Sequence, residues 1–437
     1  MISRIKLSAI TLLLPGMLYA QSTKNLTLAE AIQLGIENSK NLKRSQNKID
    51  ESIAKLNMAK DNALPTAEAS FLYNHAEIPT NQLSIGGANP IHLPNRADAF
   101  IGTLGVKELL YGGGKLKYAE ESTRLLTEVA RLDADKDKEE ISYAVINTYY
   151  SLFKILQSKK VVAQNLESIA SQLKQAERFF SQGIVTKNDV LRFQLQQANV
   201  SLTEMEIENN RKIINYNLDI LLGINEDTEV IPADPNERIK TVGTLTSYLD
   251  IAFTNRQEMK QFDIRNKVAD INIKSVKANT LPTVGVGADL YYINPSGKFI
   301  PPTNQFIMPM TLSANVSWNI GTLWTNKHKI TDAHIQQKDV AIQKDIFSDQ
   351  VKTEINRNYQ NYQLAINKIK VLETSIAQAL ENDKLLASKY KNNVASAIDR
   401  IDAETLLYQA KINLELAKAD AGLAYYTLLK STGKISE

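Results

Sequence analysis

Cysteine is absent from all 437 residues, which excludes disulfides, thiolate metal sites and a lipid anchor on cysteine. A chain exported in this form must be held by packing or assembly. Glycine and proline are scarce, at 18 and 12 residues, and they cluster, so the long stretches between them are open to helix. Charge of one sign is also lacking. A formal net charge of +3 is no basis for nucleic-acid binding or for a polybasic membrane arm. Histidine is rare, and His75, His92, His328 and His334 lack the i, i+4 spacing and cysteine companions of a metal site. Gly112-Gly113-Gly114-Lys115 fails the phosphate-loop pattern, because Leu116 follows the lysine and no glycine stands five residues before Gly114. No nucleophile elbow, zincin helix or dinucleotide fingerprint is present, so neither an enzyme nor a cofactor is expected.

What is present begins at the N-terminus. Arg4 and Lys6 precede the apolar run Leu7 to Leu14, and Leu18-Tyr19-Ala20 offers a small residue before Gln21. This order reads as a secretory signal peptide over residues 1–20. The run is well short of the roughly 20 residues a membrane anchor needs.

The rest of the chain is one unit written twice. Leu64-Pro65-Thr66 recurs as Leu281-Pro282-Thr283, and at the same offset of 217 Leu28 matches Leu245 and Asn38 matches Asn255. Further on the offset is 210, where Tyr149 matches Tyr359, Asp189 matches Asp399 and Gly223 matches Gly433. The difference falls in Pro/Gly/Asn-rich segments, where loops absorb length changes. The copies span residues 21–225 and 245–437, with a linker at 226–244.

Each copy reads helix, strand, strand, long helix, turn, helix. Strands are expected near 66–74, 99–109, 283–293 and 306–318, with period-two alternation. In the returning strand of the second copy, Met308, Met310, Leu312, Ala314, Val316 and Trp318 alternate with Pro309, Thr311, Ser313, Asn315, Ser317 and Asn319. Alternation of this length suits a transmembrane barrel strand of roughly 9–11 residues. The flanking helices look committed to each other, leaving little to cover the apolar face. Four strands cannot close a barrel, and an open sheet edge is not tolerated in lipid. Two chains would supply eight strands and three would supply twelve.

A helix from near Lys115 to Ser181 would be on the order of 100 Å long at ~1.5 Å per residue. Val162, Leu166, Ile169, Leu173, Ala176 and Phe180 alternate steps of four and three, the seam of a left-handed coiled coil. Leu191, Leu195, Ala198, Leu202 and Met205 repeat that spacing after the turn, predicting an antiparallel hairpin. In the second copy the seams are Leu372, Ile376, Ala379, Asp383, Leu386 and Tyr390, then Ala403, Leu407, Ala410, Leu414, Ala417 and Ala421. Asp383 stands where the first copy has Leu173, and the simplest expectation is that Leu380 or Leu385 takes the seam and leaves Asp383 solvated.

With these residues in place, the chain resembles the TolC-type outer-membrane efflux proteins over essentially its whole mature length. The resemblance is carried by Leu26-Thr27-Leu28-Ala29-Glu30-Ala31 and Leu245 to Ala252, by the Leu-Pro pairs and by Tyr111-Gly112-Gly113-Gly114. The turns from Phe180 to Leu191 and from Tyr390 to Ile401 complete it. It implies an α+β membrane protein: a duplicated chain with a long antiparallel coiled-coil barrel, whose four strands join a trimeric twelve-stranded outer-membrane β-barrel. It also implies a homotrimer docked on a periplasmic adaptor and an inner-membrane pump, conducting substrates without chemistry.

The resemblance assigns adaptor docking to the tips Gly183, Ile184 and Val185 with Asn393, Val394 and Ala395, and a periplasmic gate to Tyr390, Asp399 and Asp402. Asp399 and Asp402 share one helix face and would form acidic rings in a trimer. The first copy has Asp189 and Arg192 there, and Ala395 stands where the family sometimes carries a basic lock. The competing expectation, a structural coiled-coil protein of the periplasm or cell surface, explains the heptads but not the strand pairs.

Overall fold

A computed structural model describes residues 23–77, 95–235, 243–295 and 306–435, together with 79, 82–84, 86–87 and 89–92. The expected signal peptide, residues 1–20, and the linker residues 236–242 lie outside the described residues. In chain order the elements are β1 (Thr23–Leu26), α1 (Leu28–Asn38), α2 (Lys40–Asp61), β2 (Thr66–Glu77), β3 (Gln82–Leu83), β4 (Ile91–His92) and β5 (Arg96–Tyr111). Then come α3 (Lys115–Ser181), α4 (Lys187–Leu222), β6 (Glu229–Pro232), α5 (Leu245–Asn255), α6 (Gln257–Lys277), β7 (Thr283–Pro295) and β8 (Met310–Ser317). The chain ends with α7 (Thr322–Thr325), α8 (Lys327–Lys391) and α9 (Ala397–Ser431). Two compact units result. One takes the chain up to Ser39, Glu139–Leu245 and Ile355 onward; the other takes Lys40–Lys138 and Thr246–Glu354.

The first unit is a set of helical hairpins with a small sheet. Thr27 starts α1 through a capping box: its N–H donates to Glu30 Oε2 at 2.9 Å and its Oγ1 accepts from the Glu30 N–H at 3.3 Å. The preceding strand β1 pairs in parallel with β6, Leu26 opposite Pro232. Tyr149 of α3 is fully buried among Leu26, Val145, Leu152, Leu218, Leu222 and Val230. Its hydroxyl proton is shared between the carbonyls of Leu26 at 2.9 Å and Ala233 at 2.8 Å. Burial pushes this phenol up to about 12, so it stays a neutral donor. One side chain thus ties the long helix to both strands.

The hairpin seams run as expected on α9, where Ala403, Leu407, Ala410, Leu414, Ala417 and Ala421 are buried, and on α3 through Val162, Ile169 and Ala176. At the end of α3 the expected Phe180 is 45% exposed and Phe179 packs inward instead. On α4 the expected seam is wrong by one helical stripe. Leu191, Leu195, Leu202 and Met205 are 50–66% exposed, whereas Val190, Phe193, Val200 and Ile207 are buried. The true seam keeps the same heptad spacing but includes Gln197, Glu204 and Arg211. Counting aliphatic residues favours the other stripe, which therefore stays uncovered within one chain.

The second unit carries a four-stranded antiparallel sheet in the order β2-β5-β7-β8. Its helices are joined by polar clamps: Arg256 to Glu354 at 2.7 Å, Gln261 Nε2 to Asp133 at 2.8 Å and Asn326 Nδ2 to the Val276 carbonyl at 2.7 Å. The regular part of the returning strand begins at Met310, not at 306. Pro309 offers only its carbonyl, to the Tyr291 N–H at 3.0 Å, so Ile307 pairs with Ile293 as an isolated bridge.

Replacing Tyr149 by Phe removes the hydroxyl donor from the Ala233 carbonyl and leaves the Leu26 carbonyl with the Ala233 N–H alone. The expected cost is about 1–3 kcal/mol, read as a lowered melting temperature of the folded protein. An unchanged melting temperature would contradict the tethering role.

Candidate functional site

Two features carry functional information, one in each unit. Over most of its length the sheet has one apolar and one polar face; the row Leu72–Ile101–Ile293 on the polar side and Glu108 on the apolar side are exceptions. Ala69 pairs with Leu104 and Leu104 with Leu290; Leu290 pairs with Met310 and Ala288 with Leu312. The same face carries Phe71, Tyr73, Phe100, Val284, Val286 and Val316, since side chains two apart share a face. The opposite face carries Ser70, Asn74, Thr103, Asp289, Thr311, Ser313, Asn315 and Ser317.

Nothing among the described residues covers the apolar face. Leu312 is 79% exposed and Val316 73%, and β2 and β8 are exposed along their whole length. A water-facing sheet would not keep such a surface bare. Where the strands meet the helices, Tyr111, Trp318 and Trp324 are exposed, and Trp318 Nε1 donates to the Thr280 carbonyl at 3.0 Å. Aromatic residues of this kind form the girdle of membrane barrels at the lipid–water boundary. No described helix is long and apolar enough to cross a membrane.

The other feature is the pair of hairpin tips, built twice on one plan. In the first, Gly183 adopts φ 73°, its N–H reaches the Phe180 carbonyl at 3.0 Å, and the Ile184 N–H reaches Phe179 at 2.9 Å. In the second, Asn393 adopts φ 60°, with N–H bonds from Asn393 to Tyr390 at 3.1 Å and from Val394 to Lys389 at 2.8 Å. These are Schellman closures, which need a left-handed residue and satisfy the last helical carbonyls. Each returning helix then starts with a capping box. Thr186 N–H and Oγ1 donate to Asp189 Oδ2 at 2.9 and 2.7 Å, and Ser396 does so to Asp399 at 3.1 and 2.7 Å.

The six tip residues are therefore set by turn chemistry. Gly183, Ile184, Asn393 and Val394 are exposed, Val394 by 74%, while Val185 and Ala395 are half-buried. Asp399 and Asp402 are both exposed. The side-chain and backbone bonds from Ser396 hold the Asp399 carboxyl below its ordinary value, so this cap persists until pH falls through that lowered value. The capping role of Asp399 is signalled by the Ser-x-x-Asp spacing of Ser396 and Asp399. Tyr390, expected at the same constriction, is 3% exposed and lies in the tip core, its ring 5.9 Å from those of both Phe179 and Phe193.

One expectation is overturned. Asp383 is not solvated: its side chain is 18% exposed and bonded to the buried Arg400, while Leu380 and Leu385 stand 43% and 54% exposed. The heptad position points inward, and a cation opposite makes the carboxylate tenable there. Among the described residues no group of three or more acidic or histidine side chains is arranged to hold a metal ion.

Comparison with solved structures defines the class: the fold is that of outer-membrane channels. The outer membrane protein VceC of Vibrio cholerae matches at 16% identity and TM-score 0.77, over 94% of this chain and 97% of that one. The Campylobacter jejuni CmeC outer membrane channel matches at 13% and 0.74, over 94% and 87%. The Neisseria gonorrhoeae MtrE outer membrane channel, in its open state, matches at 16% and 0.72, over 93% and 89%. Residues 31–224 match the family model described as Outer membrane efflux protein. Sequence similarity to that family thus covers the first copy, whereas the fold of the outer-membrane channels is shared over nearly the whole length. No curated protein sequence matches it significantly.

Because Gly183 and Asn393 occupy the same left-handed position, they make opposite predictions. Gly183→Ala should destabilise the tip by about 1–2 kcal/mol, the left-handed penalty of a residue with a Cβ, and Asn393→Gly should stabilise it. Amide hydrogen exchange at residues 179–190 and 389–400 reads both; shifts of the same sign would refute the assignment.

Proposed function

We propose that this protein is the outer-membrane duct of an efflux or export system, passively conducting substrates delivered by a periplasmic adaptor and an inner-membrane pump. The observation that carries the reading is the bare apolar face of a four-stranded sheet with two free edges, β2 and β8. In lipid the face needs no protein cover, but the edges must be closed. Three chains supply twelve strands, β8 of one meeting β2 of the next, with the polar face turned to a water-filled lumen.

The uncovered stripe of α4, Leu191, Leu195, Leu202 and Met205, supports the same assembly. A groove lined by Leu364, Val371, Leu372 and Leu416 offers an apolar surface of matching kind on α8 and α9. Burying such stripes between chains is how a coiled-coil barrel closes. In this reading Ile184 and Val394 meet the adaptor, and Asp399 and Asp402 ring the periplasmic gate with Tyr390 packed behind them. A signal peptide at residues 1–20 would deliver the chain. A soluble coiled-coil scaffold would leave the sheet face without a solvent that suits it.

Two measurements test the reading. Leu312→Arg places a charge on the lipid face at an expected cost of about 2–4 kcal/mol, whereas Ser313→Arg faces the lumen. The first should abolish heat-resistant trimers in outer-membrane extracts and the second should not; equal assembly of both would reject the barrel. Asp399→Ala combined with Asp402→Ala should reduce cation preference in single-channel recordings, and an unchanged preference would remove these residues from the gate.

A further inference from the structure

The internal duplication allows a comparison that needs no other protein. At an offset of 210, Leu173 of the first copy corresponds to Asp383 of the second, Val190 to Arg400, and Gln194 to Glu404. Val190 is buried, Leu173 packs against the same tip cluster, and Gln194 is exposed. In the second copy that apolar pair has become an ion pair, Arg400 with Asp383, and both Arg400 and Glu404 are buried. Glu404 lies 3.6 Å from Arg400 and is bonded by Gln172 Nε2 of α3, whose other amide atom, Oε1, is buried without a partner.

Two carboxylates therefore compete for one guanidinium inside a helical packing layer. A buried ion pair adds little net stability over an apolar pair of similar size, yet losing one partner's charge is costly. With Glu404 neutral, Arg400 and Asp383 balance. With Glu404 ionised, the trio Asp383, Arg400 and Glu404 holds one excess negative charge, which only the half-buried Lys411 offsets. The groups facing Glu404 are Ser168 and Gln172 on α3, Asp383 on α8, and Arg400 and Lys411 on α9. Burial raises the carboxyl above the ordinary glutamate value, with Asp383 adding to the rise, and the Ser168 bond, Arg400 and Lys411 opposing it.

We propose that Arg400, Asp383 and Glu404, with Gln172, form a protonation-sensitive latch that holds the second hairpin to α3 and loosens as pH rises. The first hairpin, closed by Leu173 and Val190, has no such device. The sign follows from linkage. An acid whose folded value is raised contributes stability that is full below its unfolded value and is lost as pH rises through the folded one. Acidification of the periplasm therefore tightens the second hairpin only. The latch stands on geometry within one chain and holds whether or not the duct reading is correct.

Amide hydrogen exchange of the full-length protein, corrected for intrinsic rates, tests it at pH 5 and pH 7. Protection across residues 383–407 should be lost on going to pH 7, while residues 173–197 stay level. Glu404→Gln should keep the high protection at both pH values. The triple change Asp383→Leu, Arg400→Val, Glu404→Gln writes the first copy's residues into the second and should also abolish the pH dependence. A flat wild-type profile, or a slope that survives in Glu404→Gln, overturns the proposal. Loss of trimers in Leu312→Arg bears on the duct alone.

Discussion

An antiparallel strand that alternates apolar and polar side chains must place each face against a medium that suits it, and must also find partners for the hydrogen-bonding groups on both its edges. In this chain the two demands pull apart. The apolar face of β2-β5-β7-β8 has no described residue against it, and the helices beside the sheet bury their own seams on each other. Lipid meets the first demand without any further residue. It also makes the second absolute, because an unpaired edge costs far more in hydrocarbon than in water. In the proposed reading assembly is therefore a consequence of the sheet, and the bare stripe on α4 repeats the same incompleteness in the helical unit.

The coarse architecture was legible because it depends on periodicity and repetition. Period-two alternation located the sheet, heptad spacing located the long helices, and the constant offset tied the copies together. The stripe of α4 was not legible, since two heptad-spaced stripes lie side by side and the one richer in leucine is the one left outside. Gln197, Glu204 and Arg211 hide the true seam from any count of apolar residues. Arg211 is kept there by Glu208, whose carboxyl it holds down at about 2, and by Glu229 at 3.0 Å. Such compensation is a property of contacts, not of sequence spacing.

The candidate site divides the same way. The left-handed positions at Gly183 and Asn393 follow from residue type, and the capping boxes follow from Thr-x-x-Asp and Ser-x-x-Asp. Side-chain burial is different. The heptad seam of α8 places Tyr390 inward, but the aromatic rings it meets come from α3 and α4, and no single helix pattern announces that convergence. Asp383 was misplaced for the same reason, because its partner is seventeen residues away on another helix. A charged residue at a seam position signals either exposure or a buried opposite charge, and only the second hairpin's Arg400 decides between them.

The duplicated tips show which parts of the unit tolerate divergence. Backbone closure admits few solutions, so both copies keep a Schellman turn followed by a capping box, even as Gly becomes Asn and Thr becomes Ser. The layer just behind the turn admits many solutions, since any pair that fills the volume and satisfies its charges will pack. There the first copy uses Leu173 with Val190 and the second uses Asp383 with Arg400. An apolar pair is insensitive to pH, whereas an ion pair crowded by a second carboxylate is not. Two hairpins of one geometry can thus respond differently to the same change in pH, and that difference arises from three side chains on an unchanged backbone.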